Sequence, residues 1–76
     1  MKAITVALEA TPNGDPIREV FTMVHDSIES AEQWQKSLPK AVKSGSFRAA
    51  WAKPRVRKVE SILKRGNILV AKSFLF

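Results

Sequence analysis

The segment from Lys53 to Gly66, KPRVRKVESILKRG, constrains the fold more than any other part of the chain. Its four apolar residues are spaced i, i+3, i+6 and i+7, which is typical of a helix. At about 100° per residue they fall within an arc of roughly 120°, with basic residues gathered on the opposite side. Pro54 suits a first helical turn, and Gly66 suits the position just after a helix. The sequence therefore predicts a basic amphipathic helix at about 54–65.

A β-strand is the alternative for this segment. Three of its four apolar residues are β-branched, and the loop at 64–67 would then join two strands at about 55–63 and 68–76. Neither face of such a strand would be cleanly apolar, because one would carry Lys58 and Glu60 and the other Arg57 and Ser61. The helix is therefore the first choice, and the C-terminal hairpin stays as the alternative.

The first half of the chain predicts a hairpin followed by a helix. Residues 2–9 alternate large apolar residues with small or polar ones, as half-buried strands do. The turn-forming sequence TPNGDP then precedes a second extended stretch at 17–25. Asp26 is the expected N-cap of the helix, with Glu29 completing a capping box. The apolar face of this helix continues beyond Pro39, and we expect a break or kink in the helix just before the proline.

The last nine residues, ILVAKSFLF, predict a strand that is covered on both sides and lies in the centre of the sheet, because seven of them are apolar. Residues 46–53 suit a short helix or a strand equally well. The chain is thus expected to form one α+β domain spanning 1–76, with an antiparallel sheet of three or four strands and helices on one face. The expected order is β-β-α-(short)-α-β, and the hairpin alternative gives β-β-α-β-β.

Charge is divided unevenly along the chain. Residues 1–38 contain three basic and six acidic side chains, whereas residues 39–76 contain ten basic and one acidic side chain. The two halves therefore carry net charges of −3 and +9. Such a basic surface attracts nucleic acid, acidic protein or anionic lipid, and net charge alone does not choose among them.

Several functional classes find no support in the composition. The chain has no cysteine and a single histidine, His25, so neither a thiolate metal site nor the usual nucleophile and base pairs can be assembled. We expect no enzyme activity, no cofactor and no metal site. No apolar run reaches the roughly 20 residues of a membrane span, and MKAITVALEA suits a strand better than a signal peptide. The expected location is the cytoplasm of a host cell, without membrane association.

The basic segment and the residues just before it supply the candidate binding surface. Its cations can neutralise phosphates, and an arginine next to a tryptophan can stack on an unpaired base. A solvated helix face and a surface for an acidic protein have the same composition, so the partner is either a host protein or nucleoprotein complex, or nucleic acid directly. The aromatic C-terminus, Phe74 to Phe76, also suits a homodimer contact. The candidate residues are Arg48, Trp51, Lys53, Arg55, Arg57, Lys58, Lys64 and Arg65.

The segment from Asp26 to Pro39, DSIESAEQWQKSLP, has the pattern D-S-x-E-x-x-E-x-W-x-x-x-L-P. In this it resembles small phage-encoded anti-CRISPR proteins that inhibit type I-F surveillance complexes. The resemblance covers 14 of the 76 residues and does not include the basic C-terminal half. It implies stoichiometric binding to a host nucleoprotein complex that blocks access of the complex to DNA, and it assigns no individual contact residue.

Overall fold

The computed structural model describes residues 2–76 as one antiparallel sheet with helices on one face. This confirms the α+β fold and its order of elements. The segment at 53–64 is helical, so the C-terminal hairpin alternative is wrong. In chain order the elements are β1 (Ala3–Ala10), β2 (Pro16–His25), α1 (Ile28–Ser44), α2 (Phe47–Ala50), α3 (Lys53–Lys64) and β3 (Ile68–Leu75).

Helix α1 begins one residue later than the capping-box pattern predicts. Ser27 has extended backbone angles, and its hydroxyl accepts a hydrogen bond from the Ser30 backbone N–H at 3.2 Å. The expectation that Asp26 is the N-cap is wrong, because Ser27 directly precedes the first helical residue and its hydroxyl therefore reaches the third N–H of the helix. At the other end Gly45 adopts the left-handed conformation, with φ of 75°, and ends the helix as expected.

Pro39 lies inside α1 without ending it. The helix continues for five residues beyond the proline, so the expected break is absent. An interior proline costs about 3 kcal/mol through its missing hydrogen bond and its ring. Leu38 is buried in the core and Val42 packs against the same core one turn later. Burial of apolar side chains on both sides of Pro39 offsets this cost and keeps the helix in one piece.

Strand β1 is the central strand, in the sheet order β2-β1-β3. Its small side chains face the helices: Ala3, Thr5 and Ala7 are fully buried, and the Thr5 hydroxyl donates to the Ala31 carbonyl of α1 at 3.3 Å. The larger residues at positions 4, 6 and 8 are only half-buried on the opposite side of the sheet. The helices therefore pack closely on a face of small residues.

The opposite side of the sheet, here called the open sheet face, is largely apolar. Directly paired residues share a face, so the register places Val24 and Phe74 beside the central strand's large residues. Val24 is 59% exposed and Phe74 is 49% exposed. The apolar members of the open sheet face are Ile4, Val6, Leu8, Val24, Val70 and Phe74.

Strand β3 lies at an edge of the sheet, so its expected central position is wrong. It pairs only with β1 among the described residues, in continuous register from Ala3 opposite Leu75 to Ala10 opposite Ile68. The apolar residues on its two faces do not indicate cover on both sides. Leu69 is buried in the core beneath the helices, whereas Phe74 on the other face remains exposed.

The helices cover the sheet through a small core and an aromatic cluster. Phe21 of β2 contacts Trp51 with ring centroids 5.0 Å apart, and Trp51 also lies 5.9 Å from Trp34 and 5.4 Å from Phe47. The segment at 46–53, ambiguous in sequence, contributes the short helix α2 to this cluster. The buried core residues are Ala7, Phe21, Leu38, Phe47, Val59, Ile62 and Leu69.

Candidate anion-binding surface

A buried carboxylate joins the sheet to the end of α3. The Glu9 side chain is 2% exposed and accepts hydrogen bonds from Arg65 Nη2 at 2.8 Å and Nε at 3.3 Å, which reach different oxygens. Asn67 Nδ2 donates at 2.8 Å, and Arg18 Nε of β2 donates at 2.9 Å. Three residues from two parts of the chain thus donate four hydrogen bonds to one carboxylate at the end of β1.

These donors determine the charge state of Glu9. The pKa of Glu9 is lowered from 4.5 to about 2, chiefly by the hydrogen bonds from Arg65 and, next in size, from Asn67. Burial raises the pKa, and the hydrogen bond from Arg18 lowers it further. Glu9 is therefore ionised at neutral pH. A buried charge is stable only when it is paired and hydrogen-bonded, as it is here.

A cleft of about 450 Å³ opens over this carboxylate between β2 and α3. Arg18 lines its β2 side, and Arg57 and Lys58 line its α3 side. With Arg65 the cleft contains four basic side chains against two acidic ones, Glu9 and Glu19, which gives it a net charge of +2. Glu9 already binds two of the arginines, so Arg57 and Lys58 provide the cationic groups available to a ligand.

Four of the eight candidate residues form an exposed surface, here called the α3 basic face: Lys53, Arg57, Lys58 and Lys64. None of the four makes an ion pair with an acidic side chain within residues 2–76. On a helix at 100° per residue they occupy an arc of about 140°, opposite the buried Val59. They extend over roughly 16 Å along the helix axis.

The other four candidates have partners within the protein. Arg48 pairs with Glu60 at 3.2 Å, and Arg65 is committed to Glu9. The Arg55 guanidinium lies 5.7 Å from the centre of the Phe21 ring. The guanidinium of Arg65 thus turns back towards the end of β1 and does not join the four cations of the α3 basic face.

Trp51 was expected to offer a stacking surface with Arg48. In the structure its ring packs against Phe21, Trp34 and Phe47 as part of the aromatic cluster. Arg48 is directed to Glu60. The structure thus does not bring these two residues together as a stacking site.

Two residues of the cleft were missed in the sequence, Glu9 and Arg18. Glu9 shares its strand face with Ala3, Thr5 and Ala7, and a lone acid on that face is a signal that it needs a basic partner. The identity of that partner depends on the pairing of β1 with β3, which brings Arg65 and Asn67 near Glu9 across more than 50 residues of chain. No local pattern contains this information.

The described residues contain no group of three or more histidine, cysteine, aspartate or glutamate side chains placed to hold a metal ion. His25 lies on the helix side of β2, with its ring 5.9 Å from that of Trp34. Its Nε2 is buried without a hydrogen-bond partner in the part of the chain described. None of the helices within residues 2–76 is long and apolar enough to cross a membrane.

Comparison with known proteins identifies no relative: no family model, curated protein or solved structure matches the chain. The resemblance of residues 26–39 to anti-CRISPR proteins therefore stays a prediction. These residues form the cap and most of α1, where Ser27 caps the helix, Leu38 is buried, and Trp34 packs in the aromatic cluster. Ser27, Trp34 and Leu38 therefore have structural roles in this protein.

Proposed function

We propose that this protein is a non-enzymatic binding protein, of the kind that phages use as inhibitors, and that its α3 basic face binds a host nucleoprotein complex. The observation that carries the proposal is the exposure of four cations, Lys53, Arg57, Lys58 and Lys64, with no acidic partner in residues 2–76. Grouped, unpaired cations attract a polyanionic surface over long range. Such a partner places the protein in the cytoplasm of the host.

The pattern of pairing favours a role for this face beyond solvation. Glu60, the one acid of α3, pairs with Arg48 of α2 and leaves the helix's own lysines free. In the cleft the two glutamates balance the charges of Arg18 and Arg65, so the excess positive charge lies on Arg57 and Lys58 of the α3 basic face. The resemblance of residues 26–39 to inhibitors of type I-F surveillance complexes supports the same class of partner.

Direct binding of nucleic acid with little sequence specificity is the second candidate, because the same four cations can contact phosphates. Salt distinguishes the two. Four phosphate contacts on duplex DNA reduce affinity about 150-fold between 50 and 200 mM salt. An interface that includes apolar contacts with a protein changes far less over that range.

The test measures target-DNA binding by a purified type I-F surveillance complex in the presence of this protein. We expect complete inhibition at about one molecule of this protein for each binding site on the complex. A variant with Lys53, Arg57, Lys58 and Lys64 all changed to Gln should lose inhibition, since the charges that attract the complex are gone. Arg65 stays unchanged in this variant, because it binds Glu9.

The matched control changes four exposed lysines elsewhere to Gln and so lowers the net charge from +6 to +2 in the same way. Inhibition by the control and not by the α3 variant supports the proposal. Equal loss of inhibition in both variants contradicts a specific role of the α3 basic face. Absence of inhibition by the unaltered protein contradicts this partner. If gel shifts with DNA alone show an affinity that falls about 150-fold between 50 and 200 mM salt, direct binding of nucleic acid is favoured. The control positions are Lys36, Lys40, Lys43 and Lys72.

A further inference from the structure

We infer that the outer edge of β3 is a docking site for an extended segment of a partner protein, rich in apolar and acidic residues, which adds to the sheet as a fourth strand. The site lies on a different part of the molecule from the α3 basic face and goes beyond the proposed function. Three features of the described residues support it: the edge itself, a groove beside it, and the exposed apolar residues of the open sheet face.

The two edge strands differ in how they resist pairing with another chain. Strand β2 begins at Pro16, and its register with β1 shifts twice, between Ala7 and Leu8 and again between Glu9 and Ala10. Prolines and bulges are common ways to protect an edge. Strand β3 has neither, and pairs with β1 in continuous register over all eight residues. Its outward backbone N–H and C=O groups are therefore regularly spaced for an added strand.

A groove of about 440 Å³ runs beside the first residues of β3, between α1 and the end of α3. Its surface is mainly apolar, formed by side chains such as Val42 and Leu63, and Leu63 is 40% exposed. Lys40 and Lys43 are exposed on α1 at the same groove. The groove, here called the β3 groove, is lined by Pro39, Lys40, Val42, Lys43, Leu63, Ile68, Leu69 and Val70.

A single added strand accounts for all three features. Side chains of a strand alternate between the faces of a sheet, so one set enters the β3 groove and the other covers Val70 and Phe74 on the open sheet face. Lys40 and Lys43 on one side and Lys72 on the other favour acidic residues in the segment. An eight-residue edge in continuous register, bordered by apolar groups, suits strand addition.

A second copy of the chain fits this edge poorly. Lys72 lies near the middle of β3, so a symmetric antiparallel pair of two copies centred on this residue places the two Lys72 side chains opposite each other. Like charges in directly opposed positions destabilise a strand pair. The basic residues at the β3 groove add to this repulsion, whereas an acidic segment reverses it.

The experiment titrates the ¹⁵N-labelled full chain with an eight-residue peptide of the repeat Val-Val-Glu-Glu, which places both valine and glutamate on each face of the added strand. We expect saturable shifts of the amide signals at 39–43 and 68–75, together with slower hydrogen exchange of β3 amides. The same peptide with alternate backbone nitrogens methylated keeps its charge and side chains but loses strand donors. It should bind at least about ten-fold more weakly, since each lost backbone hydrogen bond weakens the complex.

Two charge-reversed variants separate this site from the α3 basic face. Lys40→Glu with Lys43→Glu should weaken the peptide about ten-fold, whereas Arg57→Glu with Lys58→Glu should leave its affinity unchanged. All four residues line one or the other cleft and remain partly or fully exposed, so the fold tolerates both variants.

Equal affinity of the methylated peptide overturns strand addition and points to an amphiphile in the groove. No saturable shift at millimolar peptide overturns the site. Concentration-dependent doubling of mass, with β3 amides already protected in the absence of peptide, overturns the choice of partner in favour of a second copy.

Discussion

Removal of the Glu9 carboxylate by Glu9→Gln is expected to change how stability depends on acid. The folded protein holds the pKa of Glu9 at about 2, mainly through Arg65, and the unfolded chain returns it to 4.5. A lowered folded pKa contributes stability that is fully present above pH 4.5 and is lost as the pH falls towards 2. At pH 3 the unfolded chain carries about 0.97 proton on Glu9 and the folded chain about 0.1, so unfolding takes up about 0.9 proton at this residue.

Urea unfolding at intervals from pH 2.5 to 6 measures this uptake as the slope of unfolding free energy against pH. Wild type should show about 0.9 proton more uptake at pH 3 than Glu9→Gln, because glutamine does not titrate. Glu60→Gln removes the same charge from an exposed ion pair and should keep the contribution of Glu9. Arg65→Gln removes the largest cause of the lowered pKa of Glu9. The folded and unfolded pKa values should then lie closer together, so Glu9 should affect stability over a smaller range of pH.

Parallel curves for wild type and Glu9→Gln between pH 2.5 and 4.5 would refute the reasoning. They would mean that Glu9 has the same pKa in both states and that the donors around it do not stabilise its charge. A lower melting temperature of Glu9→Gln at pH 7 alone is not sufficient support, because the variant also leaves Arg18 and Arg65 beside a neutral amide.

Two further predictions concern α1. Pro39→Ala should raise the free energy of unfolding by about 2 kcal/mol, since it restores a helix hydrogen bond, and a lower urea midpoint would contradict a continuous helix through this position. Ser27→Ala should cost about 1 kcal/mol in the same assay, because the Ser30 N–H loses its acceptor, whereas Asp26→Ala should cost less than half as much. The reverse order would restore Asp26 as the cap.

Much of the fold is predictable because its signals are local. The helix at 53–64 follows from the spacing of Val56, Val59, Ile62 and Leu63, which any helix must bring to one side. The end of α1 follows in the same way from Gly45, whose φ of 75° suits a residue without a side chain. Such features depend on residues a few positions apart.

Two of the errors, the position of β3 and the side of β1 that the helices cover, concern contacts between distant parts of the chain. The apolar composition of β3 predicts a strand in the centre of the sheet, yet β3 lies at an edge. Composition cannot distinguish the two positions, because an apolar strand at an edge and one in the middle have similar sequences. The alternation in β1 is correct, but the helices cover the face of Ala3, Thr5 and Ala7 and leave the larger residues on the other side. Small side chains allow closer packing of helices, a preference that hydrophobicity scales do not contain.

The candidate surface was likewise predictable only where the signal lies within α3 itself. The helix period places Arg57, Lys58 and Lys64 away from the buried side of α3, and all three are exposed. It cannot distinguish Lys64 from Arg65, because only the neighbouring sheet shows that Arg65 reaches Glu9. Pairing between α2 and α3 likewise removes Arg48 from the free cations, through a glutamate twelve positions away.

The order of the sheet also affects how fast the protein can fold. The central strand has one neighbour nearby in the chain, but the other, from Ile68 to Leu75, must return across nearly the whole length of the polypeptide. Closing so large a loop costs entropy before any strand pairing compensates for it. We therefore expect the hairpin of β1 and β2 to form early and the rate of folding to be limited by the arrival of β3.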